Sequence, residues 1–264
     1  MFDLDAYLRR VGLTGRPGVA ELHRAHVAAI VFENLDPHRG IAVSLDVADL
    51  QRKLVSERRG GYCFEHNLLF KAALEALGYR AEPMLARVRS GAEPGQVRPR
   101  THLLLRVHDG GGVWHADVGF GSGTPLQPLP FGPGEVQVQA GWRFRVIEDR
   151  GEQVLQTANG SGWVDMYAFV PEPVPLVDIE TSNWFTSTHP RSPFVTGLIV
   201  GSQQRDGTRT SLNDRAGLQL VHETPDERTV TEISSADVPG LLSERFGLAG
   251  FAIDGDGRVV RAPN

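Results

Sequence analysis

The chain of 264 residues contains a single cysteine, Cys63. One thiol cannot form an intramolecular disulfide, and it cannot build a zinc site that needs several thiolates. The sequence therefore excludes a disulfide framework and a zinc site of this kind. It leaves two interpretations of Cys63, a buried structural thiol or a nucleophile.

Long apolar runs and a surplus of positive charge are also missing. No apolar stretch approaches the ~20 residues that a membrane-spanning helix needs, and residues 1–7 lack the basic start and apolar core of a signal peptide. Lys and Arg number 27 against 32 Asp and Glu, a formal net charge of −5, which makes a nucleic-acid backbone a poor partner. We expect a cytoplasmic protein that binds neither membranes nor nucleic acid.

Hydrophobic periodicity divides the chain into three parts. Apolar residues recur at helical spacing over the first ~80 residues, short β-like runs separated by Gly and Pro follow to about residue 170, and mixed patterns occupy the rest. The predicted helices are 4–11, 18–32, 45–55 and 63–77, and the predicted central strands are 84–88, 101–107, 113–118, 136–147, 153–157 and 163–170. Strands are also predicted at 196–201, 217–222 and 228–233, and a last helix at 235–246.

These patterns predict an α+β multidomain fold. An N-terminal helical bundle would span residues 1–84, a central antiparallel β-barrel residues 85–190, and a C-terminal α/β domain residues 191–264. Cys63 would then lie on the helical part, and His102 and Asp117 on the barrel.

Cys63 lies in the segment Arg-Arg-Gly-Gly-Tyr-Cys-Phe-Glu-His-Asn of residues 58–67. The two glycines allow a close backbone approach, and the cysteine begins an apolar helix. Unpaired N–H groups and the positive end of the helix dipole at that position favour a thiolate over a thiol. This placement favours the nucleophile over the structural thiol.

A thiolate nucleophile needs a nearby base and a group that orients the base. His102 begins the apolar strand 101–107, and Asp117 stands near the end of the next strand. His115 shares a face with Asp117 and stays an alternative base. Taken one at a time, these residues also fit ordinary structural roles, such as a satisfied core histidine or an aspartate that accepts loop N–H groups.

Two other patterns suggest ligand binding only weakly. Gly119, Gly121 and Gly123 would let a phosphate approach backbone N–H groups, but no Walker or dinucleotide motif accompanies them. His23 and His26 are spaced i, i+3 on a predicted helix without a third ligand motif. We assign the two histidines to structure and expect no metal.

Several motifs in a fixed order resemble those of the bacterial arylamine N-acetyltransferases. They are Arg-Gly-Gly-Tyr-Cys-Phe-Glu-His-Asn around Cys63, Thr-His-Leu-Leu-Leu around His102, and Asp-Val-Gly-Phe-Gly from Asp117. Phe-Glu-Asn-Leu-Asp at 32–36 also resembles a family segment, with Val31 where a proline is usual, and so does His-Pro-Arg-Ser-Pro-Phe at 189–194. The resemblance covers most of the chain and favours Cys63, His102 and Asp117 as a catalytic triad like that of cysteine proteases.

The resemblance implies a fold and a reaction. The implied fold is a helical bundle, a β-barrel and an α/β lid. The implied reaction is a ping-pong transfer of acetyl from the cosubstrate acetyl-CoA to the nitrogen of a small aromatic amine, hydrazine or hydroxylamine through acetyl-Cys63, without a metal. The resemblance also implies substrate contacts: Phe32 at the acceptor pocket, and along the acyl donor Thr101, Phe120, Gly121 and Phe194.

Three other functions stay open at the level of sequence. A macrolactam-forming amide synthase of polyketide biosynthesis would use the same triad on a carrier-bound thioester. A cysteine hydrolase or transglutaminase-like enzyme shares the order Cys, His, Asp, and a non-catalytic binding protein could keep the fold. We expect a monomer or a weak homo-oligomer.

Overall fold

A computed structural model describes residues 2–93, 95–160, 162–255 and 257–262. Helices dominate the N-terminal third, as the periodicity predicts, and the first of them has a cap at each end. Asp3 accepts a hydrogen bond from the backbone of Ala6, and Gly12 ends the helix in the left-handed region at φ 74°. These helices are α1 Leu4–Val11, α2 Val19–Ala29, α3 Leu35–His38, α4 Val47–Gln51 and α5 Cys63–Ala76.

Two of the predicted helices differ from the observed ones. The helix predicted over 18–32 ends at Ala29 because Ile30 takes an extended conformation, and a short strand, β1 Phe32–Glu33, follows. The helix predicted over 45–55 changes after one turn into a π-helical turn, Arg52–Ser56. The wider turn buries three consecutive side chains, including that of Lys53.

The central part forms an eight-stranded antiparallel, barrel-like sheet within a mixed α/β fold, and to that extent the predicted barrel is confirmed. Its strand order is β5-β4-β3-β2-β9-β8-β7-β6. The run predicted as one strand at 136–147 is a hairpin, because Ala140 and Gly141 both have positive φ and turn the chain. The strands are β2 Arg80–Val88, β3 Arg100–His108, β4 Val113–Ala116, β5 Leu129–Pro130, β6 Gln137–Gln139, β7 Trp142–Asp149, β8 Glu152–Asn159 and β9 Gly162–Phe169.

A second sheet combines one strand from the N-terminal third of the chain with four strands from the C-terminal third. Its order is β1-β10-β11-β12-β13, all antiparallel, and β1 pairs with β10 so that Phe32 lies opposite Gly201. A strand from the predicted N-terminal domain therefore completes the C-terminal sheet; the division into 1–84, 85–190 and 191–264 stays a prediction. The strands are β10 Ile199–Gln203, β11 Arg209–Asn213, β12 Gln219–Glu223 and β13 Arg228–Glu232.

The remaining elements connect and cover the two sheets. They are α6 Leu176–Thr188, α7 Pro193–Thr196, α8 Val238–Phe246, and the hairpin of β14 Phe251–Ile253 with β15 Val259–Arg261. Separate apolar cores lie between the N-terminal helices and β3, inside the barrel-like sheet, and between α8 and the C-terminal sheet. Among the described residues, no helix has the length and apolar character to cross a bilayer.

Candidate active site

Cys63 is the first residue of α5 and is 2% exposed. Its Sγ donates to the carbonyl oxygen of Thr101 at 3.6 Å. The glycines before it are required by space: a Cβ on Gly60 would lie 1.9 Å from the carbonyl oxygen of Val31, and one on Gly61 would lie 2.6 Å from Oε2 of Glu65. Other parts of the chain therefore pack closely against the backbone of the two glycines, as expected from the sequence, and this packing fixes the chain just before the thiol.

A buried cluster of charged side chains packs beside the segment that carries Cys63. Arg59 contacts Glu33 at 2.6 Å, and Lys53 contacts Glu65 at 2.7 Å and Asp36 at 2.6 Å. Glu65 also accepts the backbone N–H of Tyr62 at 3.0 Å. Burial raises the pKa of Glu65 to about 7, although Lys53 opposes the shift.

His102 and Asp117 face each other, with 2.7 Å between Nε2 of His102 and Oδ2 of Asp117. Burial alone would lower the pKa of His102, but the Asp117 carboxylate and a hydrogen bond with Cys63 raise it to about 10. Since Nε2 contacts Asp117, Nδ1 is the nitrogen that remains for Cys63. The side chains of Cys63, His102 and Asp117 therefore form one connected, buried series.

Asp117 accepts three further hydrogen bonds. Tyr167 donates its hydroxyl to Oδ2 at 2.8 Å, and Oδ1 accepts from the backbone of Gly119 at 2.9 Å and from Nδ2 of Asn67 at 3.1 Å. Burial would raise the pKa of Asp117, but the charge of His102 and these donors hold it well below its usual range. The carboxylate therefore stays ionised next to the imidazolium.

His115, the alternative base, lies on the far side of Tyr167. Its Nε2 is 2.8 Å from the Tyr167 hydroxyl oxygen, while Tyr167 donates to Asp117. The ring is 1% exposed, and burial lowers its pKa to about 4. The structure brings His102 to the carboxylate and places a phenol between His115 and that carboxylate.

Five residues are predicted to contact substrates. Two of them lie at the thiol or at His102, and the other three contact one another. Phe32 packs on Phe194 with ring centroids 6.1 Å apart, and Phe120 packs on His102 at 5.0 Å. Gly121 faces Phe32, since a Cβ there would lie 3.6 Å from the ring. Thr101 supplies the carbonyl oxygen that contacts the cysteine.

Three residues that support the site were not predicted. Asn67 stands one turn after Cys63 on α5, and this i, i+4 spacing was the signal available for it. Tyr167 comes from β9 and His23 from α2, and only the folded chain brings them to Asp117. Nε2 of His23 accepts the backbone N–H of Asp117 at 3.2 Å.

The pair His23 and His26 has structural partners. Nδ1 of His23 lies 3.2 Å from the carbonyl oxygen of Leu126, and His26 lies between Tyr7 at 2.7 Å and His66 at 3.0 Å. Across the described ranges of the chain, no group of three or more His, Cys, Asp or Glu side chains is placed to hold a metal ion.

Comparison with known proteins gives consistent matches over nearly the whole chain. A family model described as N-acetyltransferase matches residues 18–250. The arylamine N-acetyltransferase of Mycolicibacterium smegmatis is 38% identical over 255 residues, which is 93% of this chain and 92% of that protein. The arylamine N-acetyltransferase of Mycobacterium tuberculosis H37Rv is 39% identical over 256 residues, 93% of this chain and 89% of that protein.

Solved structures give the same result. The Mycobacterium marinum arylamine N-acetyltransferase in complex with CoA superposes with a TM-score of 0.88 at 36% identity, covering 93% of both chains. The Nocardia farcinica arylamine N-acetyltransferase superposes with a TM-score of 0.86 at 39% identity, covering 97% of this chain and 92% of that one.

Proposed function

The chain belongs to the arylamine N-acetyltransferases, a family of acyltransferases, and on this basis we propose that it transfers an acetyl group from acetyl-CoA to the nitrogen of an arylamine, arylhydrazine or arylhydroxylamine. The observation that carries the proposal is the buried series of Cys63, His102 and Asp117 at the start of α5. A relative that superposes over 93% of its length contains CoA, which supports the choice of donor.

The first half-reaction forms an acetyl-enzyme. The thiolate of Cys63 attacks the thioester carbonyl carbon, a new C–S bond forms, and the bond from that carbon to the CoA sulfur breaks. The imidazolium of His102 stabilises the thiolate and gives its proton to the departing CoA thiolate. Backbone N–H groups at the start of α5 are the candidate donors to the oxyanion.

The second half-reaction releases the acetyl group to the amine. The amine nitrogen attacks the acetyl carbon, the bond to Sγ breaks, and neutral His102 takes the proton that the amine loses. Asp117 holds the ring through Nε2, so that Nδ1 faces the thiol throughout. The aromatic walls at Phe32, Phe120 and Phe194 suit a flat acceptor.

Discharge of the acetyl-enzyme by different amines tests the function. Enzyme acylated with acetyl-CoA should lose its acetyl group rapidly to anilines and arylhydrazines and slowly to water. When the concentrations of both substrates are varied, double-reciprocal plots of the initial rates should show the parallel lines of a ping-pong mechanism. A preference of several orders of magnitude for a long-chain, carrier-mimicking thioester over acetyl-CoA would instead identify an amide synthase, and release of free acetate without amine would identify a hydrolase.

A further inference from the structure

The C-terminal sheet turns a polar face toward the barrel-like sheet. Val200 and Leu212 pack with α8 in the C-terminal core. Because side chains alternate between the faces of a strand, Gly201 and Gln203 of β10 point the other way. A Cβ on Gly201 would lie 3.2 Å from the backbone nitrogen of Ser122, so this face covers the 3₁₀ turn Gly121–Gly123.

Arg209 lies on the same face, opposite Gln203 across the β10–β11 pair. Arg209 is 5% exposed and Gln203 is 2% exposed. Among the described residues, Nε and Nη2 of Arg209 and both amide atoms of Gln203 find no hydrogen-bond partner. A buried guanidinium without an ion pair is costly to a folded protein, so its retention calls for a partner.

The barrel holds this guanidinium by its flat face. The guanidinium carbon lies 3.5 Å from the centroid of the Trp142 ring and 5.9 Å from that of Phe144. Trp142 is fixed in turn, because its Nε1 donates to the carbonyl oxygen of Gly207 at 2.7 Å. Stacking uses the face of a guanidinium and leaves the N–H groups at its edge for partners in its plane.

The acidic residue opposite Arg209 in the sheet has a closer partner. Glu223 lies opposite Arg209 in the β11–β12 pair, and its charge partly opposes the effect of burial on the pKa of Arg209. Its Oε1, however, accepts from Nε of Arg228 at 3.0 Å, and Nε and Nη2 of Arg209 make no hydrogen bond to it. Residues 204–206 of the turn that connects β10 to β11 are exposed, and Trp142 is half-buried. A group that reaches the guanidinium edge would enter beside this turn.

We propose that Arg209 and Gln203 form a subsite for an oxyanion, a carboxylate or a phosphate group, carried by one of the two substrates. The N–H groups at the guanidinium edge match two anionic oxygens, and Nε2 of Gln203 adds a third donor. Gly121 of the neighbouring turn lies against Phe32, so the subsite lies at the margin of the substrate cleft that we propose around Phe32. The choice of substrates depends on the proposed acetyl transfer; anion binding itself does not.

Inorganic sulfate tests the subsite without turnover. Thermal unfolding is measured in sodium sulfate and in sodium chloride at equal ionic strength for the wild type, Arg209→Met and Arg228→Met. We expect sulfate to raise the Tm of the wild type and of Arg228→Met by about 3 °C more than chloride does. In Arg209→Met this difference between the two salts should disappear. Arg209→Lys keeps the positive charge but loses the paired N–H groups of the guanidinium, so it should retain part of the sulfate-specific rise in Tm. This variant replaces Arg209→Met in the test if the methionine variant does not fold.

An equal response to sulfate in all these variants would overturn the proposal and leave a buried water as the partner of Arg209. If sulfate binds at Arg209, two matched substrate pairs show whether the anion belongs to the acyl donor or to the acceptor. Acetyl-CoA is compared with the acetyl thioester of N-acetylcysteamine, which has no phosphates, and an aminobenzoate is compared with the neutral aminobenzamide.

Arg209→Met should lower kcat/KM about ten- to hundredfold for the charged member of one pair only. A donor effect identifies a phosphate of CoA, and an acceptor effect identifies a carboxylate on the amine. Equal losses for charged and neutral members would contradict a substrate subsite. Absence of any turnover in the wild type would contradict the proposed function instead, and the sulfate measurement would still decide whether Arg209 binds anions.

Discussion

Tyr167 donates its hydroxyl to Oδ2 of Asp117 at 2.8 Å, and His102 contacts the same oxygen at 2.7 Å. The phenol also accepts from Nε2 of His115. One hydroxyl therefore connects the carboxylate to a neutral, buried histidine and helps to fix the rotation of the carboxylate toward His102.

Tyr167→Phe should destabilise the protein by about 1–3 kcal/mol, because it takes a donor from Asp117 and leaves Nε2 of His115 buried without a partner. Urea unfolding gives the free energy. Tyr79→Phe is the matched control, since its hydroxyl makes one 3.2 Å bond to the carbonyl oxygen of Pro17 in a partly exposed position. Equal, small losses in the two variants would show that the buried network contributes little.

Asp117→Asn should change the pH dependence of acylation as well as its rate. The carboxylate is what raises the pKa of His102 against its burial, so the amide variant should let that pKa fall and deprotonate the ring at neutral pH. We expect the rate of acetyl-enzyme formation to drop on the order of 10²–10⁴-fold, with the alkaline limb of its pH profile moved to lower pH. A profile that keeps the wild-type position would mean that another group holds the ring protonated.

Buried neutral histidines should make the fold less stable in acid. Burial lowers the pKa of His23 and of His66 to about 4, below the ordinary value of ~6.5. Between pH 6.5 and 4 the unfolded chain binds more protons than the folded one. The contribution of each histidine to the free energy of unfolding is therefore fully present above pH 6.5 and is lost as the pH falls toward 4, by ~3 kcal/mol per histidine.

Unfolding free energies at pH 7 and pH 5 check this dependence. The loss between the two pH values should shrink in His66→Gln and stay unchanged in His222→Gln, whose ring lies on an exposed strand position. A loss of the same size in both variants would place the acid sensitivity elsewhere.

Lys53→Met should destabilise the protein by about 3–5 kcal/mol, because it leaves the carboxylates of Asp36 and Glu65 without their shared cation. Arg52→Met, one residue earlier in the same π-helical turn, is the control. Arg52 pairs with Glu57 at the surface, so we expect little change there. Similar effects for the two variants would argue against a special role for the buried cluster.

The three residues that we propose to react are easier to recognise in the sequence than the residues that support them. Cys63, His102 and Asp117 stand at element ends inside recognisable motifs, where a polar group in an apolar context is visible from the chain alone. Tyr167 gives no such signal, because its strand reaches Asp117 only through the order of the sheet. The same holds for Arg209: that its Nε and Nη2 find no hydrogen-bond partner in the described part of the chain depends on the packing of two strands and a turn.

Local chemistry explains the differences in the fold. Helix α6 was not predicted because Thr181, Ser182, Asn183 and Thr186 are weak helix formers, and packing against β3 stabilises the helix instead. Strand β1 contains only two residues, which are too few to show the alternation of a strand in the sequence. Its partner β10 lies far away in the chain. The π-helical turn at Arg52–Ser56 places Lys53 toward Asp36 and Glu65, an ion pairing that a helical period does not reveal.

The intact mass of the protein after incubation with acetyl-CoA alone tests the central claim most directly. Cys63 is the single cysteine of the chain, so a covalent acetyl-enzyme must carry one acetyl group in the wild type and none in Cys63→Ala, with circular dichroism as the control for folding. We predict this result, followed by loss of the adduct when an arylhydrazine is added. A wild type that stays unmodified while it acetylates the hydrazine in the presence of both substrates, or a Cys63→Ala variant that still turns over at a substantial rate, would contradict the account.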